Sequence, residues 1–487
     1  MFFKGLWGYL PANILQGIIG FATLMVFTRV LTPEAYGQYA LAFGLSSLVY
    51  TLVFTWLEAA MARFFIAESR DDPHAPALYG TVYRLFAVVA VVFAVVATLV
   101  LVAWPGSGSL KTAIALSLMT LVPRTLIRLV QEQRRAEGRV GAASIVDMVQ
   151  TAGGFGLGVG CALIGIGGAS PVIGTGLIAA LTLPFVVRED WGRALRGRFD
   201  AERARSFARY GFPVAASLIL TLALYTADRF LIAAFLNEAE AGAYHAGYSL
   251  ASRILDVLFI WVGAAGTPAM VQALETGGEG ALQTVARQQL TTMAFVLFPA
   301  VGGLVMVAPA LGGIVIGDGL RDQALSVTPL ISLGALFSGL NTYYFLQAFT
   351  LAKKTRLLVV AMAVPATANI ALNLVLIPRF GLIGAAWATA LSFGIGLAAS
   401  WLLGLSTLRL PVAAADIFLT AASAIFMMAT ISLLPSYGGM AELITKAATG
   451  AVVYAVLAWI LNLNGIRAAA GPRIERLYHR LRAKVFA

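Results

Sequence analysis

The chain is short of charge, histidine and cysteine, and each shortage excludes something. Charged residues make up 12% of its 487 positions, where a soluble protein of that length carries about 25%. The deficit runs along the whole chain, which excludes a soluble domain on one anchor and marks a polytopic membrane protein. The single cysteine, Cys161, lies in an apolar, Gly-rich segment, so one chain holds no disulfide framework or thiolate metal site. Three histidines, His74, His245 and His479, are scattered without metal-ligand spacing, and no P-loop occurs, so no intrinsic ATPase or metal centre is expected. No catalytic constellation appears, and the chain reads as a non-enzyme. The glycines of 153–160 and 165–168 superficially resemble phosphate loops, but inside a membrane span they are expected to be helix-packing surfaces. Lys4 precedes an apolar run too long for a signal-peptide core, with no small-residue cleavage site after it. The first span is therefore expected to be retained.

What is abundant is hydrocarbon: 60% of residues are hydrophobic and mean hydropathy is +0.85. About fourteen spans of ~20 residues can be placed. They fall near 6–28, 36–60, 81–103, 110–131, 143–163 and 171–187, then 210–234, 243–270, 288–315, 324–350, 357–377, 382–404, 414–434 and 443–463. The eleventh and twelfth are divided at Pro378. Between the sixth and seventh lies a basic connector, 188–209, with seven arginines against Glu189, Asp190, Asp200 and Glu202. In hydrocarbon each arginine would cost about 2.5–3.5 kcal/mol, so the connector is expected to be a watery loop. The net charge of +11 reads as topology, not as nucleic-acid binding. With a cytoplasmic N-terminus, the cytoplasmic segments hold 27 of the 34 Lys and Arg. The opposite side holds Arg29, Lys111, Arg321, Arg379 and Lys446, while Arg229 and Arg253 remain inside spans. That bias places both termini in the cytoplasm.

The two halves repeat. Leu31–Tyr39 aligns without gaps to Leu236–Tyr244, each with Gly then Tyr two residues later and an aromatic four further on, Phe43 or Tyr248. Pro11 pairs with Pro213, and Leu163, Ile164 and Gly168 with Leu376, Ile377 and Gly381. The common order implies a duplicated six-span unit, an arrangement of transporters with a site near the midplane. The expected organisation is an N-terminal lobe (1–187), the connector (188–209), a C-terminal lobe (210–404), a further two-helix pair (405–465) and a basic amphipathic tail (466–487). In that tail Ile474, Leu477, Tyr478, Leu481 and Val485 share a face flanked by arginines, as in an interfacial helix on an anionic leaflet or a docking element for a partner enzyme.

Three stretches carry a family resemblance. Thr28–Tyr39 resembles the first inter-span turn of bacterial Wzx-type polysaccharide flippases, of the multidrug/oligosaccharidyl-lipid/polysaccharide (MOP) exporter superfamily. Ala227–Ile232, followed by Gly242 and Tyr244, is similar to their seventh-to-eighth span region. Asn369–Ser392 resembles their eleventh-to-twelfth junction, a motif shared with lipid II flippases and more loosely with multidrug extruders. The resemblance implies an all-α, two-lobed, V-shaped fold like that of MATE and MurJ transporters, with alternating access. It implies movement of an undecaprenyl-pyrophosphate-linked oligosaccharide from the cytoplasmic to the periplasmic leaflet of the bacterial inner membrane. The extra pair of spans favours flippases over drug extruders. The alternatives are a lipid II flippase, a cation-coupled multidrug extruder, and a scaffold recruiting a polymerase or glycosyltransferase through the tail.

A pyrophosphate site needs arginines in a watery cavity, and a glycan needs amides and hydroxyls. The candidate substrate contacts are Arg63, Arg253, Arg29, Arg229, Asn341 and Asn373. Each has a bland alternative: Arg63 as a snorkelling topology residue, Arg253 as an i,i+3 partner of Asp256, the asparagines as interhelical hydrogen-bonders. Arg229 and Asp228 are adjacent and expected on different helix faces. Asp228, Glu58 and Asp147 are the intramembrane acids, candidates for a coupling ion, a proton or sodium. No other cofactor is implied, and a monomer suffices.

Overall fold

The computed structural model describes residues 2–71, 75–105 and 108–468, and every regular element among them is helical. Most of the basic tail, 469–487, lies outside the described residues. Ten described helices are long and apolar enough to cross a membrane, twelve if each of two bent pairs is one span. The chain is thus a multi-pass membrane protein. The chain divides into two compact units, 1–246 with 316–323, and 247–315 with 324–487.

The first unit opens with α1 (Phe2–Val30), α2 (Pro33–Val53) and α3 (Thr55–Asp71). Thr32 caps α2, its hydroxyl accepting from the Ala35 amide at 3.2 Å, with Pro33 in the first turn, where its missing N–H costs nothing. α2 and α3 bend by 47° into one broken span. Then come α4 (Pro76–Ala103), α5 (Ser109–Met119), α6 (Leu121–Ala136), α7 (Val140–Leu163) and α8 (Ser170–Val186). The expected fourth span is α5 plus α6, and α6 continues to Ala136, past the expected end at 131. Glycines set the α7–α8 packing as expected: a Cβ on Gly174 would lie 2.2 Å from Gly158 N and 2.3 Å from Gly154 O, so the two backbones touch.

The connector is not an open loop. It forms α9 (Arg188–Arg196), and Asp200 then caps α10 (Ala201–Phe235), accepting from the amides of Glu202 at 2.9 Å and Arg203 at 3.1 Å. α10 packs within the first unit: Phe212 stacks on Trp56 at 4.9 Å, and Phe207 and Tyr210 contact Phe64. The first compact unit thus runs on through the connector to Ala246, and these aromatic contacts hold α10 to α3. The repeat has a structural counterpart in the same unit. Asn237 caps α11 (Glu238–Val315) as Thr32 caps α2, accepting from the Glu240 amide at 2.9 Å. The two repeat glycines meet, since a Cβ on Gly242 would lie 2.8 Å from Gly37 N.

The second unit holds most of α11, α12 (Asp318–Leu340, whose first residues belong to the first unit), a π-helical turn Asn341–Phe345, and α13 (Gln347–Leu351). α14 (Thr355–Leu405), α15 (Ala414–Ser432) and α16 (Gly439–Ile460) complete it. The longest helices, α11 and α14, are each two helices joined at a non-helical glycine, Gly278 (φ 68°) and Gly381 (φ 59°). The break expected at Pro378 thus falls three residues later. Proline ends helices poorly when its ring can be housed, whereas the left-handed turn itself favours glycine.

Candidate functional site: a polar cavity in the first unit

α6 carries most of the charge of its span, and its polar residues are in register. Arg124, Arg128, Gln131 and Arg135 follow at spacings of 4, 3 and 4, which puts them on one helical face. Arg124, Arg128 and Gln131 line a cavity of about 380 Å³, bounded by α1, α2, α3, α7 and α8. Glu58 of α3 and Asp147 and Gln150 of α7 enter it, with Tyr39 and Tyr50 of α2 and Gln16 of α1.

The acids of this cavity are already engaged. The Tyr50 hydroxyl donates to Glu58 Oε1. Asp147, 6% exposed, accepts from Gln131 Nε2 at 2.8 Å and Arg135 Nη2 at 2.9 Å, with Arg128 Nη1 at 3.9 Å. Glu132 pairs with Arg135. Gln150 donates to Thr182 at 2.7 Å. Arg124 differs: its side chain forms no hydrogen bond or ion pair with a described residue, and its electrostatic neighbours are Arg128, Tyr50, Tyr39 and Glu58. A guanidinium so placed offers five donors to an incoming oxyanion.

Two of the sequence candidates, Glu58 and Asp147, meet in this cavity. Arg63 is exposed on α3 and is not among the lining residues. Arg29 is exposed and donates to its own helix, to Met25 O at 2.8 Å. Asp228 and Arg229 are buried and turn toward each other, 3.7 Å apart, contrary to the expectation of separate faces. A backbone contact draws them together: Asp228 Oδ1 also accepts from the Arg229 amide at 2.9 Å. Arg229 Nε donates to His245 at 3.1 Å and Tyr244 hydrogen-bonds Asp228, tying α10 to α11. In the second unit Arg253 is half-buried, forms no ion pair with Asp256, and leaves its Nε without a hydrogen-bond partner among the described residues. Asn341 is buried in the π-turn with Oδ1 unsatisfied. Asn373 donates to Asn369 O at 2.9 Å and Oδ1 at 3.0 Å, and Asn369 to Ser392 at 3.3 Å, a network bridging the Gly381 turn. Arg124, Arg128 and Tyr50 are not candidates from sequence, and Tyr39 stands there only as part of the repeat. The two arginines were absorbed into the loop-charge count, although their spacing with Gln131 was the available signal.

Outside the spans, α9 carries a buried carboxyl. Asp190 is buried against α4, its carboxylate accepting from the Tyr83 hydroxyl at 3.0 Å. Burial pushes its pKa up to about 6, against the opposing pull of the Tyr83 hydrogen bond, Arg193 and Arg134.

Apolar spans thus surround a polar, charged cavity of about 380 Å³, an arrangement suited to holding a polar ligand within the membrane. Residues 26–325 match the family described as polysaccharide biosynthesis protein, and the chain belongs to that family. No curated protein matches the chain. Among solved structures, the inward closed conformation of the lipid II flippase MurJ is similar, with a TM-score of 0.74 at 14% identity over 94% of this chain and 99% of that one. An inward-facing multidrug resistance MATE transporter gives 0.59 at 14% identity over 80% and 94%. A MOP superfamily transporter from Pyrococcus furiosus gives 0.51 at 14% over 82% and 92%. These likenesses establish a MurJ- and MATE-like fold for the chain.

Proposed function

We propose that this protein is a flippase that moves undecaprenyl-pyrophosphate-linked oligosaccharide repeat units from the cytoplasmic to the periplasmic leaflet by alternating access, for surface polysaccharide biosynthesis. It works in the bacterial inner membrane with both termini cytoplasmic, as a monomer, handing its cargo to a polysaccharide polymerase. Membership of a polysaccharide biosynthesis family supports the glycan. The observation that carries the reading is Arg124, the ionised group lining the cavity that no described hydrogen bond or ion pair engages. An anionic cargo supplies the missing partner, with Arg128, whose pairing to Asp147 is long, as the second donor. Gln16, Thr23, Gln150 and Thr151 line the same space and offer amides and hydroxyls to sugar. Glu58 lies beside the arginines and is the coupling candidate: a carboxyl that gives up a proton there competes with a phosphate for the same cations. A small lipophilic cation, the cargo of a drug extruder, would meet unengaged positive charge in this cavity.

The test is reconstitution into liposomes containing polyprenyl-pyrophosphate oligosaccharide, scored by access of a lectin or glycosidase to the outer leaflet. Translocation whose half-saturation Arg124→Gln raises at least tenfold supports the reading. Efflux of cationic dyes with no movement of any lipid-linked sugar overturns it.

A further inference from the structure

α9 has two faces, and among the described residues only one of them is held by hydrogen bonds and close packing. The inner face is Asp190, Arg193 and Ala194, followed by Gly197. Arg193 Nη1 donates to the Tyr79 hydroxyl at 2.8 Å and its guanidinium lies 5.3 Å over that ring. Asp190 holds Tyr83, and a Cβ on Gly197 would lie 1.7 Å from Pro76 O. Arg193 also lies 3.8 Å from Glu137, beyond the end of α6. The helix is therefore clamped to the start of α4 and to the α6–α7 turn.

The outer face is different. Trp191 and Leu195, one turn apart, are 53% and 68% exposed, and Phe199 just past the helix is 49% exposed. Trp191 touches the protein only by an edge contact to Tyr83 at 6.5 Å among the described aromatic pairs. Arg188 lies beside this stripe on the helical wheel, Arg196 at its edge and Arg198 beyond the helix, all exposed. A short rigid helix that shows Trp, Leu and Phe framed by arginines is unsuited to open water and equally unsuited to hydrocarbon. It suits the headgroup layer, where aromatic rings sit at the interface and guanidinium groups reach phosphates. Its position agrees, because spans α8 and α10 flank it directly in sequence, and Leu181 and Phe185 at the end of α8 continue the exposed apolar surface toward it.

We propose that α9 is a membrane-surface anchor: it seats Trp191, Leu195 and Phe199 in the headgroup region of an anionic leaflet, with Arg188, Arg196 and Arg198 on the lipid phosphates. The occupant of this face is acidic phospholipid, and the clamp to α4 makes the anchor a fixed reference for the lobe. Charge complementarity selects acidic lipid over zwitterionic lipid.

The full chain with Cys161→Ser, and Leu195→Cys or Glu189→Cys carrying a nitroxide, is reconstituted into vesicles of phosphatidylcholine with or without one-third phosphatidylglycerol. Relaxation by oxygen against a water-soluble nickel chelate reports depth. The expected result is a Leu195 label at least threefold more shielded from the chelate than the Glu189 label, more so with phosphatidylglycerol. Arg188→Gln, Arg196→Gln and Arg198→Gln together, all at exposed positions, should remove the phosphatidylglycerol increment. Equal chelate access at both positions overturns the anchor and points to a protein partner for this face. Shielding that ignores both the acidic lipid and the three arginines overturns the phosphate contacts. Neither readout involves transport, so failure of the anchor is separable from failure of the flippase assignment.

Discussion

Replacing Arg124 with glutamine keeps a polar, though shorter, side chain and removes one positive charge from a cavity of about 380 Å³. The acidic liners are committed elsewhere: Asp147 to Gln131 and Arg135, Glu132 to Arg135, Glu58 to Tyr50. The substitution thus breaks no contact within the protein, and membrane expression and thermal stability should stay at wild-type levels. The cost falls on cargo. A hydrogen bond to a charged group contributes about 1.5–3 kcal/mol, which corresponds to a loss of roughly 10–150-fold in apparent affinity for the pyrophosphate. Arg124→Lys keeps the charge but loses the planar fork, and should fall in between. Arg63→Ala, at an exposed position away from the cavity, should change transport by less than about threefold. The assay is initial translocation rate against the density of lipid-linked oligosaccharide in proteoliposomes. Wild-type half-saturation in Arg124→Gln, with protein intact, would refute the assignment of the cavity as the anion site; a collapse of expression would show instead that Arg124 is structural.

Glu58→Gln keeps the hydrogen bond from Tyr50 but cannot exchange a proton, so transport should lose its dependence on an imposed pH gradient while cargo binding persists; an unchanged pH response removes Glu58 from coupling. Asp190 has a folded-state pKa of about 6 against 3.8 for the free carboxyl, so the folded protein binds the extra proton. The docking of α9 should strengthen as pH falls from about 6 towards 4 and weaken above it, by at most about 2–3 kcal/mol. Hydrogen exchange in α9 at pH 5 and 7 measures this, and Asp190→Asn should flatten the difference. Gly174→Ala sets a methyl against the α7 backbone and should cost about 1–3 kcal/mol. Gly160→Ala, with nothing within 4 Å, should be neutral or stabilising by up to about 1 kcal/mol. Equal thermal shifts for these two would contradict the packing described for α7 and α8.

Composition and periodicity alone determined that the chain is a many-span helical membrane protein, because hydrocarbon tolerates few charges and no unpaired backbone. The Leu31–Tyr39 repeat was legible too, since caps and glycines act locally: Thr32 and Asn237 cap equivalent helices, and Gly37 and Gly242 meet where no Cβ fits. The arginines were legible only as a sum. Charge bias gives orientation but does not tell a guanidinium in a loop from one in a cavity, so Arg124 and Arg128 passed as topology and Arg63 stood out by position. The connector read as water-exposed loop for the same reason. Its helix forms because Asp190, Arg193 and Gly197 find partners on α4, more than a hundred residues earlier in the chain. Solvation is fixed residue by residue and can be read along a chain. Whether a charge is free, paired or aimed at cargo depends on which helices lie beside it, and only the packed structure decides that.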